Sequence, residues 1–127
     1  MIGGKVVDPS ALAAHVGGSF AMATWLAVAN ELSIVLYVPA LAMVEVRAVY
    51  PDAQAVLSRL LAHPSVIHAD LTRAQAREVA RLLAESQAWD GTAGRVVLVA
   101  RERGWPVLTA DPGRLRRIAP DLDLDLL

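Results

Sequence analysis

Gly104-Trp105-Pro106-Val107-Leu108-Thr109-Ala110-Asp111 decides how the rest of the chain is read. A Gly-Trp-Pro break precedes a short apolar strand, Val107–Leu108, and the strand runs out on Thr109-Ala110-Asp111. The beginning of the chain has the same form. Lys5-Val6-Val7-Asp8-Pro9-Ser10 is a β-branched run that stops on an aspartate. In a parallel α/β sheet the carboxyl ends of the strands form the ligand-binding edge. Two strands that each end on Asp place two carboxylates side by side there. With further acids from adjacent helices, such a pair is a hard-oxygen site for Mg²⁺ or Mn²⁺.

Outward from these two strands, the chain alternates strand and helix signals. After the strand Val6–Val7, Pro9 suits a first helical turn and Ser10 is a good capping residue, for a helix through Ala14. Gly17-Gly18 ends it, and Ser19 caps Phe20–Leu32. Ile34–Val38 is a β-branched strand, and Pro39 opens a helix over Ala40–Val49. The Tyr50-Pro51-Asp52 turn stops that helix, with Asp52 as the cap of Ala53–Ala62. A third strand is expected at Ser65–His68. Thr72-Arg73-Ala74-Gln75 has the form of a capping box, opening a helix to about Ser86. Asp90-Gly91-Thr92 starts another helix, ending at Arg103-Gly104. A short helix, Pro112–Ile118, follows the strand Val107–Leu108. The tail Asp121–Leu127 alternates with period two, as an edge strand does. This pattern predicts one α/β domain over residues 1–127, with a mostly parallel sheet of four to five strands and helices on both faces.

Composition narrows the function. The chain has 127 residues, 55% hydrophobic and 20% charged, enough for one core with apolar surface left for self-association as a homodimer. A net charge of −1 excludes a globally basic nucleic-acid binder and leaves room for a local basic patch. The absence of cysteine removes disulfides, thiolate zinc sites and thiol catalysis. Phe20–Val44 is largely apolar, but Asn30, Glu31, Ser33 and Pro39 interrupt it, so no membrane span is expected. The opening MIGGKVVD does not read as a signal peptide, and the expected location is the cytoplasm.

Four acids stand where this fold gathers side chains. Asp8 and Asp111 end strands, Asp90 lies at a helix start, and Glu45 sits in the apolar run Ala42-Met43-Val44-Glu45-Val46. A carboxylate flanked by Val44 and Val46 is costly to bury unless it pairs or binds a metal; alternatively it faces solvent or pairs with Arg47 or another arginine. Clustered carboxylates repel, and a divalent ion relieves that repulsion. It also lowers the pKa of a bound water and stabilises charge on a phosphate. Phosphodiester hydrolysis by activated water is the chemistry that best matches such a site.

The runs VVDPSAL at residues 6–12, VPALAMVEV at 38–46 and ARERGWPVLTAD at 100–111 resemble the PIN domain, and within it the VapC-type toxins of bacterial toxin–antitoxin pairs. The resemblance spans nearly the whole chain. It implies a three-layer α/β/α fold with a Mg²⁺- or Mn²⁺-dependent ribonuclease site, an RNA substrate with tRNA among the candidates, and a cognate antitoxin protein. By matching position, Asp8, Glu45 and Asp111 are metal-site acids, and Ser10 and Thr109 match the hydroxyls beside them. The family's remaining acid falls near Ala93 here. The nearest acid is Asp90, about one helical turn earlier, and it serves either as a fourth site acid or as an N-cap.

Arg114, Arg116 and Arg117 follow Asp111 closely and are placed to meet RNA phosphates. Arg73, Arg77 and Arg81 repeat along one helix face and read as a solvated stripe supported by an Arg81–Glu85 pair. His15, His63 and His68 show no ligand spacing. Trp89 and Trp105 flank the Asp90 helix as packing residues, with base stacking open for Trp89. Phe20, Met22, Trp25, Leu26 and Ala29 read as core or dimer surface. Two rivals remain: a degenerate PIN-like module that binds RNA or protein without cleavage, and a phosphoacceptor signalling domain, which needs a lysine near the site where only Lys5 is offered.

Overall fold

Alternating apolar residues in each strand separate the interior into two layers. Strand side chains point to opposite faces in turn. Val7, Leu36, Val38 and Leu108 pack on one side, and Val6, Tyr37 and Val107 on the other. The computed structural model describes residues 3–127. Its strands are β1 (Gly4–Val7), β2 (Val35–Pro39), β3 (Val66–Ala69), β4 (Val107–Thr109) and β5 (Leu124–Leu126). They form one sheet in the order β3-β2-β1-β4-β5, and every neighbouring pair is parallel. Helices α1 (Pro9–Val16), α2 (Phe20–Leu32), α3 (Ala40–Val49) and α4 (Gln54–Leu61) contribute to the first layer. Helices α5 (Arg73–Ser86) and α6 (Gly91–Arg103) and the short α7 (Pro112–Arg116) contribute to the second. The sequence-predicted three-layer α/β/α arrangement is the observed one.

The strand order places the functional edge. The chain lays β2 and β3 on one side of β1, then returns to lay β4 and β5 on the other. The order therefore reverses between β1 and β4, where Val6 pairs with Val107 and Val7 with Leu108. In open α/β sheets the crevice beyond the carboxyl ends at such a reversal is the binding position. Asp8 leaves β1 there, and Ala110-Asp111 leave β4 there.

Local signals account for most element ends. Ser19 accepts from the Met22 amide at 3.3 Å, and Ser33 closes α2 at φ 54°. Thr72 and Gln75 form the reciprocal capping box, at 3.1 and 2.9 Å. Three details differ from the sequence expectation. Asp8, not Ser10, caps α1, because the extended backbone at Asp8 lets its side chain reach the Ala11 amide. Asp52 makes no capping bond; α4 starts after Ala53 with no side-chain cap. Arg81 and Glu85 are exposed and form no ion pair among the described residues. No single helix among those residues is long and apolar enough to cross a membrane.

Lys5 is committed elsewhere in the sheet. Its ammonium bonds Asp125 on the edge strand at 2.5 Å and lies 5.1 Å from the centre of the Trp25 ring. That leaves the phosphoacceptor reading without its lysine.

Gly4 tests how tightly the sheet start is packed. A Cβ there would stand 2.7 Å from the Val35 carbonyl oxygen and 2.8 Å from the Trp105 ring. Gly91, at the start of α6, has open space around the same position. We expect Gly4→Ala to lose about 1–3 kcal/mol in urea denaturation through overpacking. Gly91→Ala should keep or slightly raise stability, as Ala is the better helix former. Equal stability of Gly4→Ala and the unmutated chain would refute this packing account.

Candidate active site

Asp8 is the deepest acid at the sheet edge, with only 2% of its surface exposed. Its Oδ1 accepts from the Ala11 amide at 2.9 Å and the Ser10 hydroxyl at 2.7 Å. Its Oδ2 accepts from the Thr109 hydroxyl at 2.5 Å. Thr109 Oγ1 in turn accepts from the Asp111 amide at 2.9 Å, and Ser10 Oγ accepts from the Ala110 amide at 2.8 Å. The two strand ends are thereby stitched together through one carboxylate and two hydroxyls. Burial is the largest influence on Asp8 and raises its pKa. The hydroxyl and amide donors and the charge of Arg114 act in the opposite direction.

Arg114, one turn after Asp111 on α7, joins the other acids. Its Nη1 and Nη2 donate to the two carboxylate oxygens of Glu45 at 2.6 and 2.7 Å. Its Nε and Nη2 donate to Asp90 at 2.6 and 2.8 Å. Such charge-assisted, two-pronged pairs are the stronger class of hydrogen bond. Asp90 Oδ1 also accepts from the Ala93 amide at 3.1 Å, so Asp90 caps α6 and faces the site at once. Its pKa is lowered, first by the Arg114 hydrogen bonds. That of Arg114 is raised, first by its bonds to Glu45 and then by those to Asp90.

Two cavities meet at this clamp. Glu45, Asp90, Arg114, Arg117 and Trp89 line one of about 700 Å³. Ser10, Glu45, Asp111 and Arg114 line a smaller one of about 220 Å³. Asp111 is exposed and makes no capping bond to α7. Arg116 and Arg117 are exposed, whereas Arg114 is spent on Glu45 and Asp90 rather than held free for a phosphate.

Carboxylate and hydroxyl oxygens are the donor types that Mg²⁺ and Mn²⁺ take, so the residues fit such an ion by chemistry. Their present partners differ. Among the described residues no three acid or histidine side chains are grouped to hold an ion. Glu45 and Asp90 have turned onto the guanidinium, and Asp8 onto its own donors. The Arg114 guanidinium occupies the place a cation would take between Glu45 and Asp90. The sequence offered an arginine partner for Glu45 as one alternative, and that alternative is the observed one; it did not identify Arg114, which was expected to meet RNA phosphates. The one available signal was that Glu45, alone in an apolar run, needed a cationic partner.

No protein-family model and no curated protein sequence matches the chain. Solved structures do. The chain is similar to one in the crystal structure of VapBC2 from Rickettsia felis bound to a DNA fragment from their promoter. That match has TM-score 0.72 and 12% identity and covers 98% of both chains. The fold is PIN-like. PAE2754 from Pyrobaculum aerophilum is similar at TM-score 0.64 and 22% identity, over 98% of this chain and 92% of that one. At these identities the likeness speaks for the PIN-like fold, and the site rests on its own geometry.

The raised pKa of Asp8 sets a pH dependence. Above 3.8 the folded chain holds this proton longer than the unfolded chain, so the Asp8 contribution is full below that pH and is lost as pH rises to the folded-state pKa. Asp90 acts oppositely: its contribution is present above 3.8 and disappears as pH falls through its lowered pKa. Asp8→Asn removes the first effect alone. Its urea stability relative to the unmutated chain should therefore rise between about pH 4 and neutrality; a flat difference would contradict the burial assignment. Thr109→Val, which leaves the buried Oδ2 without its donor, should cost about 1–3 kcal/mol at neutral pH.

Proposed function

We propose that this chain is a metal-dependent endoribonuclease, the toxin of a toxin–antitoxin pair, acting in the cytoplasm with an antitoxin protein as its partner. The observation that carries the reading is the placement of Asp8, Glu45, Asp90 and Asp111 around one edge of a PIN-like sheet, at the β1–β4 reversal. These four acids would hold Mg²⁺ or Mn²⁺. When bound, the ion would supply an activated water and a counter-charge for the scissile phosphate.

The chain's own residues would do the rest. Ser10 and Thr109 hold the Asp8 carboxylate in one orientation. Arg116 and Arg117 offer exposed charge to an RNA backbone. Arg114 would release Glu45 and Asp90 to the ion and become free to meet a phosphate. Exposed Phe20 and Leu32 on α2, with Val44 and Val49 on α3, supply apolar surface for a homodimer. A sedimentation run showing only monomer at high micromolar concentration would refute the dimer.

The guanidinium in the cation's place also favours a second reading: a PIN-like module that binds RNA or protein without cleaving. Metal titration separates the two. For the nuclease, millimolar Mn²⁺ should raise the melting temperature by mass action. The rise should be larger in Arg114→Ala, where no guanidinium competes. Outer-shell partners of metal ligands are worth about 10–100-fold. Asp8→Asn and Glu45→Gln should then lower Mn²⁺-dependent cleavage of single-stranded RNA by at least about 100-fold. If Mn²⁺ shifts melting in neither the unmutated chain nor Arg114→Ala, and no cleavage is seen, the binding module is the correct reading.

A further inference from the structure

Trp89 is 99% exposed, and the other two tryptophans show how unusual that is. Trp25 lies under the Lys5 ammonium. Trp105 stacks against the Arg103 guanidinium, 5.2 Å from its ring centre, and closes over Gly4. Among the described residues Trp89 has no such partner. Its indole stands on the ridge between two hollows. One is the acid-lined cavity of about 700 Å³ that contains Glu45, Asp90, Arg114 and Arg117. The other is an apolar hollow of about 620 Å³ formed by Ala80, Leu83, Ala84, Gln87 and Ala88.

We infer that Trp89 is a stacking platform for an unpaired base of the RNA strand that enters the acid-lined cavity; this rests on the ribonuclease reading of that cavity. An indole face stacks on any base, and such platforms work beside cationic groups that follow the backbone. Here the cation is Arg117, exposed and on the same cavity wall. The direct chain neighbour of Trp89 is Asp90, so a strand whose phosphate lies at the acids carries its adjoining base past the indole. Ser86, Gln87 and Thr92 line the same wall and supply polar groups for a base edge. The charged walls beyond Trp89 disfavour an apolar protein segment at this end of the ridge, and the exposed guanidinium of Arg117 is the group there that attracts a phosphate. The residue is a positioning one: it holds the substrate strand and takes no part in bond breaking.

The test uses the full-length chain and a fluorescent single-stranded RNA oligonucleotide. Binding is read by anisotropy in EDTA, so that cleavage does not interfere. Because Trp89 packs against nothing that a truncation would unseat, Trp89→Ala should melt like the unmutated chain while binding about ten-fold more weakly. Trp89→Phe should recover part of the loss. Replacing bases one at a time by abasic sites should reveal a position whose base matters to the unmutated chain and no longer matters to Trp89→Ala. Equal affinity of Trp89→Ala and the unmutated chain would overturn the proposal, and so would an abasic penalty that persists undiminished in the variant. An unmutated chain that binds no RNA overturns it as well. Cleavage with Mn²⁺ is measured separately on the unmutated chain and on Trp89→Ala, so a failed nuclease reading shows as bound but uncut RNA. A failed stacking reading shows as RNA cut and bound equally well with and without the indole.

Discussion

The Asp8 carboxylate, buried at the end of β1, is the constraint on which the site depends. A buried charge is tolerated only when its hydrogen-bonding capacity is met, and here the donors come from the first turn of α1 and the end of β4. That requirement holds the two central strand ends in one relation. Thr109, whose hydroxyl donates to Asp8, accepts from the Asp111 amide and so directs the chain into α7. One turn along α7 stands Arg114, which reaches Glu45 and Asp90. Asp8 thus connects, through a short series of contacts, to the acids carried by α3 and by the start of α6.

Electrostatics then demands a cation at this edge. Glu45 and Asp90 would otherwise approach one another with no opposite charge between them. A guanidinium suits the present arrangement because its planar fork can address two carboxylates at once, which a lysine ammonium does less well. The side chains of Arg114, Glu45 and Asp90 are 25%, 35% and 33% exposed. Water therefore screens the pairs, and their net contribution is on the order of 1 kcal/mol each. A modest figure matters for the proposed function: contacts of that strength can be given up without unfolding the domain.

Much of the fold was legible because its signals are local. The β-branched runs, the Ser19 cap, the Thr72 capping box and the Gly104 stop each act within a few residues, and α2 and α3 occupy their predicted spans. Asp52 misled because a capping residue type does not fix where the helix begins: α4 starts one residue later, and Ala53, which has no side chain to cap with, holds the N-cap position. The site was legible only in part. Strand-ending aspartates announce the edge. The partner of Glu45 lies 69 residues away in sequence, a separation at which periodicity is silent. For Asp90 the cap and the site acid had been posed as alternatives. In the structure the carboxylate caps α6 and pairs with Arg114 at once: Oδ1 meets the Ala93 amide as well as Arg114, while Oδ2 meets Arg114 alone.

The same dual use of Asp90 explains the geometry of its neighbour. Gln87 closes α5 in the left-handed region at φ 51°, and only Ala88 and Trp89 separate it from the α6 cap. Ala88 packs against the second core layer, and Asp90 turns inward to the Ala93 amide and Arg114. With its two neighbours turned inward, the residue between them is left in solvent. Folding therefore accounts for an exposed side chain at position 89. It does not account for an indole there, since a serine or lysine would meet the same backbone demand without leaving so large an apolar face in water. The choice of tryptophan has to be explained by what meets that face from outside.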